Sequence, residues 1–264
     1  MKKKPYLLII CVIIGLFYVS CPSNVDEPID LANLRHFTVS IPTAEEEAEQ
    51  IIISLRWVQN FVRQGIIHPP SSYRFPNTPL FYEAMNKIQA GGTLTIAEEN
   101  QIREHFINDV FNAQNYQRYF NILARTIQRT DRRIDSLRRF ESAWNFHIPS
   151  KYHVFITLWG IGSYVDPEAG MITMFSAHIT SPNLLYIIDH EIIHIGLYEP
   201  IIRRFNIPHW TNERITDLFQ IKHFGPIGRS LQQEPEYPID IIFEQPDVLD
   251  YLPQRVEEFL RNHR

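Results

Sequence analysis

The 264-residue sequence is poor in cysteine and glycine, with two and ten respectively, and it contains no apolar run long enough to span a bilayer. Two cysteines exclude a disulfide-stapled scaffold. Ten glycines beside eighteen prolines exclude a collagen-like chain or a Gly/Ser linker protein. Charge of one sign is also scarce: the net value of −5 does not favour nucleic acid as a general partner. No repeat at solenoid periods is visible. What is present is the composition of an ordinary globular protein, 44% hydrophobic, 12% aromatic and 21% charged. The length suits one large domain or two small ones with a proper core.

Lys2, Lys3 and Lys4 precede an apolar run of thirteen residues from Leu7 to Val19, against the roughly 20 that a spanning helix needs. That is the length of a signal-peptide core, so residues 1–20 are read as a segment removed on export, with an uncleaved anchor as the alternative. The run closes on Tyr18-Val19-Ser20-Cys21, which resembles the lipobox of bacterial lipoproteins. The resemblance implies that Cys21 carries a lipid anchor and that the chain sits at a membrane of the bacterial cell envelope, periplasmic or surface-exposed. Cys11 leaves with the leader, so Cys21 would be the one cysteine of the mature chain and no internal disulfide could form. Loss of three lysines takes the net charge from −5 to −8, which gives no electrostatic pull toward anionic lipid. Residues 21–42 read as a tether, opened by the polar, proline-bounded stretch Pro22 to Pro28.

Thr43-Ala44-Glu45-Glu46 is a helix-start signature, and Ile51, Ile52, Leu55, Val58 and Phe61 follow at helical spacing until Gly65. A proline-rich loop from His68 to Pro79 leads to a short helix near Leu80 to Gln89, and Thr95-Ile96-Ala97-Glu98 starts another. The pattern stays helical to about Trp144. Arg125, Arg129, Arg132, Arg133, Arg138 and Arg139 line that stretch, but interleaved Asp131, Asp135 and Glu141 favour a solvated face over a nucleic-acid groove. After Pro149 the composition shifts. His153 to Trp159 and Gly170 to Phe175 read as strands joined by a turn-rich loop, and therefore as an antiparallel hairpin. Leu184 to Leu197 reads as a buried helix, Thr211 to Lys222 as another, and Val248 to Asn262 as a C-terminal one. The expected class is α+β, mainly helical, with a small antiparallel sheet beside the helix at 184–197. A helical region at 43–149 would precede a second region at 150–264.

The chemistry concentrates in His190-Glu191-Ile192-Ile193-His194. On a helix, positions i and i+4 share a face, so both imidazoles reach one metal ion. Glu191 projects beside the first histidine, within reach of a water at that metal. Zinc suits two neutral imidazoles and a carboxylate, with a fourth position open. After a gap of eighteen residues comes Glu213, on the next expected helix, and Asp217 lies one turn further along the same face. A carboxylate at 217 would accept a hydrogen bond from the non-ligating nitrogen of a histidine ligand and fix its tautomer. With eleven histidines in the chain, this joint pattern arises by chance on the order of once in two thousand such sequences.

Residues 150–222 resemble the gluzincin group of zinc peptidases. Trp210-Thr211-Asn212-Glu213 at this spacing is similar to the gluzincin aminopeptidases, and Asn212-Glu213 with Asp217 to the thermolysin-like peptidases. The resemblance implies a zincin-like fold, one Zn²⁺ held by His190, His194 and Glu213, Glu191 as general base, Asp217 as support, and a peptide or protein substrate. The downstream histidine that stabilises the oxyanion in thermolysin-like peptidases has no counterpart by spacing. His223, Tyr237 and Tyr251 stand as unranked candidates for that role. His209 and His178 are further histidines of the region, the first close before Glu213 and the second read as structural or exposed. Two function classes follow: a membrane-anchored zinc peptidase, or a lipoprotein binding or structural module without hydrolysis. Metal content separates them.

Overall fold

The computed structural model describes residues 31, 33–65, 73–226 and 238–263. The expected leader, Cys21, half of the tether, much of the proline-rich loop and Tyr237 lie outside the described residues. Among the described residues no helix is long and apolar enough to cross a membrane.

The expected helix starts are built as their residues dictate. Thr43 caps α1 (Ala44–Arg63): its hydroxyl accepts from the Glu46 N–H, and the Glu46 carboxylate accepts from the Thr43 N–H at 2.8 Å. Thr95 and Glu98 repeat the device at α3 (Ile96–His105), with α2 (Pro79–Gln89) between. Ile51, Ile52, Leu55 and Val58 are buried on one stripe of α1, and with Phe81, Ile88, Ile102 and Phe106 they form a cluster of their own. The longer α4 (Gln117–Ile134) and α5 (Arg138–Trp144) do not join it. They pack instead into the main core with the sheet and the C-terminal helices. The stretch 43–149 is thus shared between two clusters, which meet at Phe111 and Trp159. Five of the arginines expected on a solvated face are exposed there, while Arg133 turns inward.

The class is α+β and mainly helical, but the sheet is mixed rather than antiparallel. Its four strands are β1 (Phe37–Ser40), β2 (Tyr152–Thr157), β3 (Tyr164–Asp166) and β4 (Met171–Phe175), in the order β1-β2-β4-β3. The two strands legible in the sequence, β2 and β4, run parallel, with His153 opposite Met171. The hairpin is instead β3 to β4, closed where the Asp166 carboxylate accepts the Glu168 and Ala169 N–H groups at 3.1 Å each. A three-residue strand next to a polar turn carries almost no period-2 signal, which is why the sequence hides it. Residues 37–40, read as part of a tether, form an edge strand parallel to β2, with Phe37 stacked on Tyr152 at 5.1 Å.

After the short α6 (Ser176–Ile179) comes α7 (Leu184–Leu197), apolar nearly all round and buried along most of its length. A helix of that kind belongs in a core. It packs against α4 and against α8 (His209–Phe224), and α9 (Leu252–His263) closes the fold. The approach to α7 is close at Gly196, where a Cβ would fall 1.9 Å from Phe146 Cζ. That ring is itself wedged between Trp144 and Phe219, at centroid distances of 5.7 and 5.6 Å. Gly196→Ala therefore has two opposed effects: helix propensity gains about 1 kcal/mol, and overpacking loses about 1–3 kcal/mol or more. With a wedged ring as the obstacle, overpacking wins, and urea unfolding should show the variant destabilised.

Near the start of α1, the Glu47 carboxylate is buried and accepts the Leu158 N–H at 2.9 Å. Burial, outweighing hydrogen bonds from Leu158 and Thr157, pushes its pKa from 4.5 up to about 7. A raised folded-state pKa means the neutral form is favoured, so its stabilising effect is complete below pH 4.5 and is lost as pH rises through 7. The window corresponds to about 3 kcal/mol. Glu47→Gln removes this titration, so the stability difference between variant and wild type should grow by about that amount in unfolding curves taken between pH 4 and pH 8.

Candidate metal centre

His190 and His194 lie one turn apart on α7, rings edge to face with centroids 4.5 Å apart. Their Nε2 atoms are 2.9 Å from each other. From α8 the Glu213 carboxylate completes the group, Oε2 at 3.2 Å from His190 Nε2 and Oε1 at 3.3 Å from His194 Nε2. All three ligating groups lie within 4.8 Å of one another, and they could hold a metal ion.

The far side of each ring decides what the near side offers. His190 Nδ1 lies 3.0 Å from Asp217 Oδ1, and His194 Nδ1 lies 3.2 Å from the Thr216 hydroxyl, both partners fully buried on α8. A carboxylate at Nδ1 requires N–H there, and the Thr216 hydroxyl can accept from the second ring in the same way. With N–H at Nδ1 of both rings, the two Nε2 lone pairs would face each other and a carboxylate. Acceptors crowd together like this only around a positive charge, a proton or a metal ion. For tetrahedral ligands at about 2.0–2.1 Å from zinc, neighbouring ligand atoms stand about 3.3–3.4 Å apart. The observed 2.9, 3.2 and 3.3 Å are close to that spacing. Electrostatics agree: burial alone would lower the His190 pKa, but hydrogen bonds to Asp217 and Glu213 and the nearby Glu191 raise it to about 9. Burial pushes Glu213 up, and the two imidazoles outweigh it and hold the carboxyl well below the usual range.

Behind the site, Asp189 is buried and pairs with Arg133 of α4 at 2.6 Å. The Arg133 guanidinium also lies 4.1 Å over the Phe224 ring, so one side chain ties α4 to α7 and α8. Burial outweighs Arg133 and pushes Asp189 up to about 7. Arg214 makes a two-pronged pair with Asp240 in the turn Ile239–Glu244, and Gln220 donates to the Tyr186 carbonyl at 2.7 Å. These contacts set the rotation of α8 that points Glu213, Thr216 and Asp217 at α7. Thr216 and Arg133 escaped the sequence reading. The spacing from Glu213 could have drawn attention to position 216, but nothing local marks Arg133 among its neighbours.

The cluster opens into a cleft of about 770 Å³ whose wall includes His190, Glu191, His194 and Glu213. Of the candidates for oxyanion stabilisation, His223 lies at the far end of α8, its Nε2 2.8 Å from the Ser136 hydroxyl and its ring against Phe140. Burial, with Arg139 and Arg133 nearby, lowers its pKa to about 4. Tyr251 is exposed on the turn Val248–Tyr251 and does not line the cleft, and Tyr237 is outside the described residues. The cleft holds instead His178, Tyr164 and His209. His178 Nδ1 is 2.8 Å from the Ser163 hydroxyl, which accepts the Phe175 N–H. His209 Nδ1 lies 3.9 Å from Glu213 Oε1, and its ring rests on Trp210. Compared with family models, with curated proteins and with solved structures, the chain gives no match to any of them.

Proposed function

We propose that this chain is a zinc-dependent peptidase. The observation that carries the reading is the convergence of two imidazole Nε2 atoms and one carboxylate, each imidazole backed by a buried partner, beside a cleft that also holds Glu191. Two imidazoles and a carboxylate are a donor set suited to zinc, and two nitrogen ligands disfavour magnesium or calcium. When bound, zinc supplies Lewis acidity toward a scissile carbonyl and lowers the pKa of water. The protein groups do the rest. Glu191 accepts a proton from the attacking water and returns it to the leaving amine. Asp217 and Thr216 hold the two rings in the tautomer that leaves Nε2 free to ligate. Metal analysis of the purified protein, followed by digestion of a peptide library, tests the proposal. One zinc per chain with metal-dependent cleavage supports it. A protein that takes up no zinc after reconstitution is the non-hydrolytic binding module.

The same reading includes membrane attachment through Cys21. Cys21→Ala should abolish incorporation of labelled fatty acid and leave the leader in place, read by mass spectrometry of the N-terminus. Labelling that survives the substitution contradicts the anchor.

A further inference from the structure

The helices α1–α3 form a cluster apart from the metal-bearing core, yet α1 lends a side chain to the cleft. Trp57 lines it and keeps 43% of its surface exposed. Its ring is set between Tyr164 of β3, at a centroid distance of 5.9 Å, and Phe61 one turn along α1, edge to face at 6.3 Å. A large indole held by two aromatic neighbours and still open to a cleft presents a rigid apolar surface at low entropic cost.

The chain fixes this arrangement from the sheet outward. Past the end of β2 the backbone turns through Gly160, whose φ of +112° favours glycine. A Cβ there would fall 2.5 Å from Ser54 Oγ, so the loop lies directly on α1. Arg74 pins the loop from its other side, exchanging backbone hydrogen bonds with Gly160 at 2.9 and 2.7 Å. Ser54 and Trp57 are three residues apart and so share a face of the helix. The contact at Gly160 therefore carries Trp57 alongside Ile161 to Tyr164, the segment that forms the cleft wall.

Beyond the metal cluster and the histidines, the wall is largely apolar: Trp57, Ile161, Val165, Phe175, Ile187 and Trp210. Among the described residues it includes no lysine, arginine or aspartate, and its carboxylates are Glu191 and Glu213. Among the described residues no lysine or arginine lines the cleft to hold a terminal carboxylate, and both acids already have roles at the metal. We propose that Trp57, with Tyr164, forms a specificity wall that receives a large apolar side chain of the peptide, so that substrates are chosen by apolar side chains near the scissile bond rather than by terminal charge. This inference rests on the peptidase reading.

The test uses zinc-loaded full chain and peptides that are N-acetylated and C-amidated, differing in a single position (Phe, Leu or Ala) on either side of the bond cleaved. Trp57→Ala should lower kcat/KM by about tenfold or more for the Phe and Leu peptides, change the Ala peptides by less than about twofold, and leave the zinc content intact. Trp57→Phe should restore most of the loss. An equal loss on all peptides, no loss, or a fall in zinc content overturns the proposal and leaves the peptidase reading standing. If zinc-loaded wild type cleaves none of these peptides, the peptidase reading fails, and calorimetric binding of the same peptides decides the wall separately. Tighter binding of Phe than Ala that Trp57→Ala abolishes keeps it as a peptide-recognition surface, and equal binding overturns it.

Discussion

Glu191→Gln is expected to retain zinc while losing peptide hydrolysis by at least the ~10²–10⁴-fold typical of general acid–base groups. The amide keeps the shape and polarity of the carboxyl but cannot take a proton from water at neutral pH. Glu191 lies in the cleft wall next to His190 but is not in the ligand cluster of His190, His194 and Glu213. Metal content and turnover should therefore separate in this variant. Zinc measured by mass spectrometry and kcat measured on one peptide check both halves. If the variant loses zinc with activity, Glu191 supports the metal and the division of roles is wrong.

Removing a ligand should fail differently. His190→Ala, His194→Ala and Glu213→Ala each leave two protein ligands where three converge, so metal affinity should collapse together with activity. The loss should also register as stability. A ligand that binds only the folded state at a thousand times its Kd adds about 4 kcal/mol. Wild type should therefore melt higher with zinc than with chelator, and the three variants should show little difference between the two conditions. Asp217→Ala and Thr216→Val should be milder, each weakening metal affinity by about 10–100-fold, because the ligands remain and only their orientation is loosened. Equilibrium zinc titration against a competing chromophoric chelator ranks all five. A Glu213→Ala protein with undiminished affinity would move the third ligand elsewhere, with His209 next in line at 3.9 Å from that carboxylate.

What was legible in the sequence follows the range of the interactions. The capped starts of α1 and α3 depend on residues three apart, and both are read directly from Thr43-Glu46 and Thr95-Glu98. The metal cluster is almost as local. One helical turn sets His190 against His194, another sets Glu213 against Asp217, and a single packing event between α7 and α8 joins the pairs. The sheet was misread because its order depends on where the chain crosses over, and three residues of β3 between two stronger strands decide that. β1 was missed for the same reason: its partner lies more than a hundred residues away, with Phe37 opposite Tyr152. Arg133 reads as one arginine among many until folding places it 2.6 Å from the buried Asp189. Trp57 belongs to the same class, an apolar-stripe neighbour on α1 that folding brings to the cleft beside Tyr164.

X-ray absorption spectroscopy of the zinc-loaded wild-type protein tests the central claim most directly. The ligands at 190, 194 and 213 predict a shell of nitrogen and oxygen only, near 2.0–2.1 Å, with the outer-shell signature of two imidazoles. That signature should fall to one imidazole in His194→Ala if the weakened site still retains metal. A wild-type protein that binds no stoichiometric zinc, or whose spectrum shows fewer than two imidazoles, would contradict the account.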